Sequence, residues 1–303
     1  MALKLNERYP GRFDNPSAGY PQGSFKNRTS PTAKDGSYLE RDWANDKEGF
    51  FQSLLSSSGF VANGTVDKVG ASQYFDSLVS AIRSKATGRV ISQQLFTSTA
   101  TYTPTPGIAF AIVECVGGGG GSAHVLATGA SQYATTAGGQ AGHYTRSRFT
   151  AAQLAGGVLC TIGAAGVGAN AGGITPSSNG GSTTFGALVT AGGGNRSSVG
   201  ILSSGTYLSA PSGAPTTVFG SFQYSISGQP GSWGIYSSGS GQLGGNGGSS
   251  MFGGGGIGVG IGAAAQPGSG YGAGGGASSL GPNSSSIGGA AGSGGLIVIT
   301  EYI

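Results

Sequence analysis

The sequence predicts a mainly β protein: a small α-helical N-terminal region followed by a glycine-rich, β-sandwich-like domain. Three observations carry that prediction. Ile108-Ala-Phe-Ala-Ile-Val-Glu-Cys-Val116 is a short apolar run rich in Ile and Val, as a buried strand is, and five glycines end it. A matching run, Leu296-Ile-Val-Ile-Thr-Glu-Tyr302, stands at the far end of the same region. Composition also divides sharply near Gly88. Nine of the 64 glycines lie at or before it, whereas after Arg89 the only charged side chains are Glu114, Arg146, Arg148, Arg196 and Glu301.

Glycine at this density ordinarily signals disorder. Here apolar runs recur at residues 158–162, 183–189 and 217–219, and aromatics are spread throughout. Glycine held in a fold loses more backbone entropy than any other residue. The region therefore needs support from oligomerisation or from glycine-to-glycine backbone packing. The net charge of +4 contains no Lys/Arg cluster, so no nucleic-acid partner is expected. The first eight residues are charged at once, so no secretory leader is expected, and no apolar run approaches the ~18 residues of a membrane span. Cys115 and Cys160 fall inside expected strands and read as buried free thiols.

Residues 1–36 carry turn signals at Tyr9-Pro-Gly11, Asn15-Pro-Ser17 and Tyr20-Pro-Gln-Gly23. Tyr9, Phe13, Tyr20 and Phe25 alternate there with Arg8, Arg12, Lys26 and Arg28, which reads as an extended arm with aromatic anchors. Ser37 with Glu40 forms a capping box for a helix whose Trp43, Phe50, Phe51, Leu54 and Leu55 share one face. Gly59 is its expected C-terminal stop. A second helix is expected from about Val69 to Lys85, with Asp67 as N-cap and Phe75, Leu78, Val79 and Ile82 on one face. Two such helices make a small core only, so Phe50, Leu54, Phe75, Leu78 and Ile82 are expected to bury against copies of the same chain. Residues 37–88 thus form a helical segment and residues 89–303 the glycine-rich domain. In the latter, residues 89–96 and 100–103 read as strands, 103–107 as a turn, 163–181 as a long glycine loop and 183–189 as a strand. The glycine segments read mostly as loops carried on a strand frame, and Gly253 to Gly276 admits packed polyglycine-II-like helices.

These residues resemble a known family. Phe110 to Gly121, Ile162-Gly-Ala-Ala-Gly166, Ser182 to Gly194 and Gly295 to Tyr302 stand in the order found in the glycine-rich domain at the distal end of bacteriophage tail fibre proteins. The first half is similar to their virion-attachment segment through Tyr9-Pro-Gly-Arg-Phe13, the run Tyr20 to Arg28 and the run Asp42 to Phe51. The resemblance implies a homotrimeric fibre or tail-tip component located in the virion tail. Its partners would be the baseplate, tail or another fibre protein at one end, and a bacterial surface polysaccharide or outer-membrane protein at the other. Residues 195–250 form an insertion beyond that pattern.

Enzyme chemistry has little to stand on. Glycoside hydrolysis usually needs two facing carboxylates, and after Asp76 only Glu114 and Glu301 remain, read here as strand-end solvation or arginine partners. The two cysteines and two histidines match neither a thiol–imidazole arrangement nor a zinc spacing, and no phosphate-loop signature occurs, so no cofactor and no metal are expected. Binding is the expected activity. Tyr, Ser, Gly and Asn make an adaptable contact set. Tyr133, Tyr144, Arg146, Arg196, Tyr207, Tyr224, Trp233, Tyr236 and Tyr271 are the candidate receptor contacts, with Trp233 the leading anchor. Tyr9, Arg12, Phe13, Tyr20, Phe25 and Trp43 are the candidate virion-attachment residues. A polysaccharide-degrading spike and a purely structural tail-tip component are the alternatives.

Overall fold

The computed structural model describes residues 4–18, 20–21, 23–38, 41–85, 88–211, 218–237 and 241–303. The chain forms two compact units, residues 1–87 and 88–303. The fold is mainly β, with a few short helices and several antiparallel sheets.

In the first unit the helices are Arg41–Ser57 and Gln73–Lys85. Gly59 takes φ +72 just past the first helix, as a C-terminal stop requires. Glu40 of the expected capping box lies outside the described residues. The second helix starts later than expected, because Lys68 and Ala71 pair across a tight turn and Ser72 becomes the cap: its Oγ accepts from the Phe75 N–H at 3.1 Å. Asp67 braces that start from outside, accepting from the Gln73 and Tyr74 N–H groups and the Ser72 hydroxyl. Those bonds hold its carboxyl below the usual range. The described part of residues 4–38 folds back on itself rather than extending: Phe13–Asp14 pairs with Ser24–Phe25, and Tyr9, Phe13, Phe25 and Trp43 form a continuous chain of ring contacts, 5.0–5.8 Å between centroids.

The second unit is built on a sandwich. Its first sheet has the order Tyr224–Ile226, Tyr144–Thr150, Phe110–Val116, Leu296–Tyr302, Val90–Phe96. Its second has the order Phe219–Gly220, Val189–Ala191, Thr183–Phe185, Val158–Thr161, Ala100–Tyr102. The organising and closing strands pair along their whole length, Val116 opposite Leu296 and Phe110 opposite Tyr302. Alternate residues Ala111, Val113, Cys115, Ile297 and Ile299 meet Tyr102, Val158, Cys160, Phe185 and Val189 in one buried core. One expectation fails here. Residues 183–189 are a hairpin, not one strand, because Gly186 turns the chain at φ +53. Tyr144–Thr150 is an inner strand with no apolar alternation to announce it, because its inward residues include Thr145 and Ser147, fully buried but polar.

The glycine segments are not loops. They are extended passes packed side by side, and the pass at residues 117–122 shows the rule. Its N–H groups donate to His143, Gly181, Ser293, Gln140, Ser178 and Ala290 in turn. The same neighbour therefore recurs every third residue, the period of a polyglycine-II-type helix. Its donors go to three passes running the opposite way, at residues 140–143, 178–181 and 290–293. Its carbonyls accept from three running the same way, through Gly194 and Ser197, Gly166 and Ala169, and Gly275. A Cβ on any of Gly117, Gly118, Gly119, Gly120 or Gly121 would lie 1.9–2.1 Å from a neighbouring carbonyl oxygen. Glycine is required at these positions because backbone replaces side chain as the packing surface, not because of a turn. The same arrangement extends across residues 163–169, 228–231 and 244–248, and within the predicted Gly253 to Gly276 it holds for 255–258 and 273–276 but not for the turn at 260–266. Small apolar clusters close both ends: Val116, Leu296 and Val298 with Phe252 and Tyr271 next to the sandwich, and Val125, Ala134 and Leu280 with Leu126 and Ile287 at the far end.

Candidate functional site

Each outgoing pass of about six steps carries the chain about 19 Å from the sandwich at the rise of an extended three-residue helix. The turns joining outgoing to returning passes therefore collect on one far face. Among the described residues that face holds 123–136, 170–176, 197–211, 233–237, 241–243, 260–266 and 278–288.

The candidate receptor residues divide between the two ends. Tyr144, Arg146, Tyr224 and Tyr271 lie at the sandwich end. Tyr144 is 2% exposed and its hydroxyl donates to Glu114, which together with burial pushes the phenol's pKa up. It is a packing residue, contrary to expectation. Arg146 donates to Gln223 at 3.1 Å beside the Tyr224 ring, and Tyr271 packs under Phe252 against Val116. Tyr133, Arg196, Tyr207, Trp233 and Tyr236 lie at the far end. Tyr236 is a second correction: it is 3% exposed and stacks on Tyr133 with ring centroids 4.0 Å apart. Among the candidate attachment residues, Phe13 is buried and Tyr20 is exposed, while Arg12 lies over the Tyr38 ring and Trp43 beneath the Lys47 ammonium.

The far face carries residues that sequence reading missed. Tyr207–Ser209, Gly234–Ser237 and Gly241–Leu243 form a three-stranded sheet. Leu208, Ile235 and Leu243 stand directly opposite one another across it, and all three are exposed. Trp233, two residues before Ile235 and half exposed, follows the same alternation. The strands are only three or four residues long, too short for periodicity to reveal them. Also on the far face, a cavity of about 280 Å³ is lined by His124, Pro176, Ser177, Arg196, Ser198 and Val199, among others.

Acid–base and thiol chemistry find little support. The Glu301 carboxylate accepts from the Tyr102 hydroxyl at 2.7 Å, the Thr105 N–H at 2.9 Å and the Thr105 hydroxyl at 2.6 Å. Burial alone would raise its pKa, but these bonds outweigh burial and hold it below the usual carboxylate range. It serves neither strand-end solvation nor an arginine. Glu301 pairs with Ala111 and shares its inward face, whereas Glu114 is three residues on and points outward. The two carboxylates therefore lie on opposite faces of the sheet. Burial pushes the Cys115 thiol well up and Cys160 to about 11, so both stay protonated at neutral pH. Among the described residues, no cluster of three His, Cys, Asp or Glu could hold a metal, and no helix is long and apolar enough to cross a membrane.

No curated protein matches the chain. The glycine-rich domain family matches residues 95–301, a span that begins in the strand Val90–Phe96, includes every pass of the bundle and ends in the strand Leu296–Tyr302. With most of its length inside that match, the chain belongs to the glycine-rich domain family.

Proposed function

We propose that this protein is a bacteriophage tail fibre or tail-tip component whose far face binds a bacterial surface receptor and whose N-terminal unit joins it to the virion. One observation carries the reading. Inside the bundle most glycine positions admit no side chain at all, yet the turns at its far face bear exposed Leu208, Trp233, Ile235 and Leu243 that no internal packing demands, with exposed Arg196 nearby. A rigid support with freely variable tips is the arrangement that recognition favours. The opposite facing of Glu114 and Glu301 counts against a polysaccharide-degrading spike.

A homotrimer is part of the proposal. In the single chain Phe50, Phe75, Leu78 and Ile82 are exposed on the two helices, and the first unit's buried apolar residues are only Leu5, Phe13 and Leu55 among those described. Copies of the chain would cover those helices. Light scattering at micromolar concentration tests this, and a stable monomer would refute it. The receptor reading is tested by competition: purified full-length protein should block adsorption of the phage that carries it. Unimpaired adsorption at saturating protein would leave only the structural tail-tip role.

A further inference from the structure

The cavity between His124 and Arg196 differs from the rest of the far face in charge and in construction. After Asp76 the chain has no aspartate, and its two remaining glutamates both lie in sandwich strands. The far face thus has no carboxylate to neutralise Arg196. The arginine is also held in place: its backbone N–H donates to the Asn179 Oδ1 at 2.9 Å and its Nη1 to the Ser177 carbonyl at 2.7 Å. A guanidinium has five N–H donors in a fixed fork, suited to an anionic oxygen pair. Fixing it beforehand reduces the entropy lost on binding.

His124 also lines the cavity. It is 9% exposed, and its Nδ1 is buried without a hydrogen-bond partner among the described residues. The ring is seated over Gly173, where a Cβ would fall 2.3 Å from the imidazole Cε1, so the neighbouring turn is shaped to admit it. Ser177 and Ser198 add polar lining, while Ala169, Pro176 and Val199 add an apolar side. At about 280 Å³ the cavity sits just under the roughly 300–1,000 Å³ of drug-sized sites, which suits one sugar residue rather than an oligosaccharide.

We infer that this cavity binds a single sugar residue bearing a carboxylate or phosphate, with Arg196 taking the anionic oxygens. As a receptor subsite it rests on the proposal that the far face meets the host surface; as a binding site it stands alone. The test uses full-length protein and saturation-transfer NMR with glucuronate, glucose 6-phosphate and glucose. The expected result is transfer to at least one charged sugar and none to glucose. Glucuronate alone points to an acidic polysaccharide, and glucose 6-phosphate alone to a phosphorylated surface saccharide. Arg196→Gln should weaken charged-sugar binding at least tenfold. Because that change also removes the bond to Ser177, Val199→Trp serves as a second variant: it obstructs the cavity, keeps the guanidinium bond, and should abolish binding with the melting temperature unchanged. Absence of binding at millimolar ligand, equal binding of glucose, or undiminished binding by both folded variants would overturn the assignment. Adsorption competition is a separate arm. If the protein binds charged sugars but does not compete for adsorption, the host-surface reading falls and the cavity assignment stands.

Discussion

The sandwich and the glycine bundle, joined in one unit, are stabilised by opposite means. The sandwich buries Phe, Tyr, Ile and Val between two sheets, and its strength lies in what its side chains fill. The bundle buries few side chains larger than alanine or serine. Its strength lies in hydrogen bonds between backbones that approach because nothing stands between them. Mutational tolerance should therefore run in opposite directions: the sandwich suffers when side chains shrink, the bundle when they grow.

The largest expected effect tests the sandwich half of that contrast. Phe185→Ala removes a fully buried ring from the centre of the core and should cost about 3–5 kcal/mol by chemical denaturation. A loss under 1 kcal/mol would mean that the sheets hold together without their side chains. The bundle half is tested by a pair. Gly119→Ala places a Cβ 1.9 Å from the Ala273 carbonyl oxygen and should cost about 3 kcal/mol, the upper end for overpacking, because backbone meets backbone. Gly205→Ala has open space around it and should stay within about 0.5 kcal/mol. Equal costs for the two glycine changes would dissolve the contrast.

Acid should separate the two regions as well. His143 lies where a returning pass enters the sandwich, and burial lowers its pKa below the ordinary histidine value. The folded state therefore prefers the neutral ring. The stability that depends on it is present above about pH 6.5 and is lost as pH falls below that. Glu301 in the sandwich is held below its usual value, so its contribution is lost only at more acidic pH, from about 4.5 downward. Melting temperature followed from pH 8 to pH 3 should fall in two stages, and His143→Gln should remove the upper one. The smallest expected effect on stability comes from the tips. Trp233→Ala should shift stability by about 0.5 kcal/mol or less while reducing phage adsorption. A Trp233→Ala protein that melts several degrees lower and still adsorbs would make Trp233 part of the far-face packing.

The frame was legible in the sequence because apolar content alone specified it. Residues 110–116 and 296–302 are dense in Ile and Val, and no other role suits them. The strand Tyr144–Thr150 was hidden because Thr145 and Ser147 face inward, so its pattern resembled a polar loop. The bundle was hidden for a deeper reason. Its order resides in contacts between glycines far apart in sequence, and a glycine in a packed pass is spelled the same as a glycine in a loop. For the candidate site, composition brought out the aromatics and Arg196, but it could not separate exposed Trp233 from buried Tyr144 and Tyr236. The three-stranded far-face sheet and the His124 cavity depend on how distant turns assemble.

The central pass at residues 117–122 has a consequence for the order of folding. Its partners are drawn from residue 140 through residue 293, so a nascent chain that has already emitted these glycines holds them without neighbours until almost the entire domain has been synthesised. Contacts of such separation form slowly, because the chain must be constrained over long distances before any bond compensates. The segment translated early is thus among the last to be enclosed, and loss of the returning pass at residues 290–293 would leave its open side bare. Enclosure of this pass therefore waits on the stretch at residues 290–293, however early its own glycines are made.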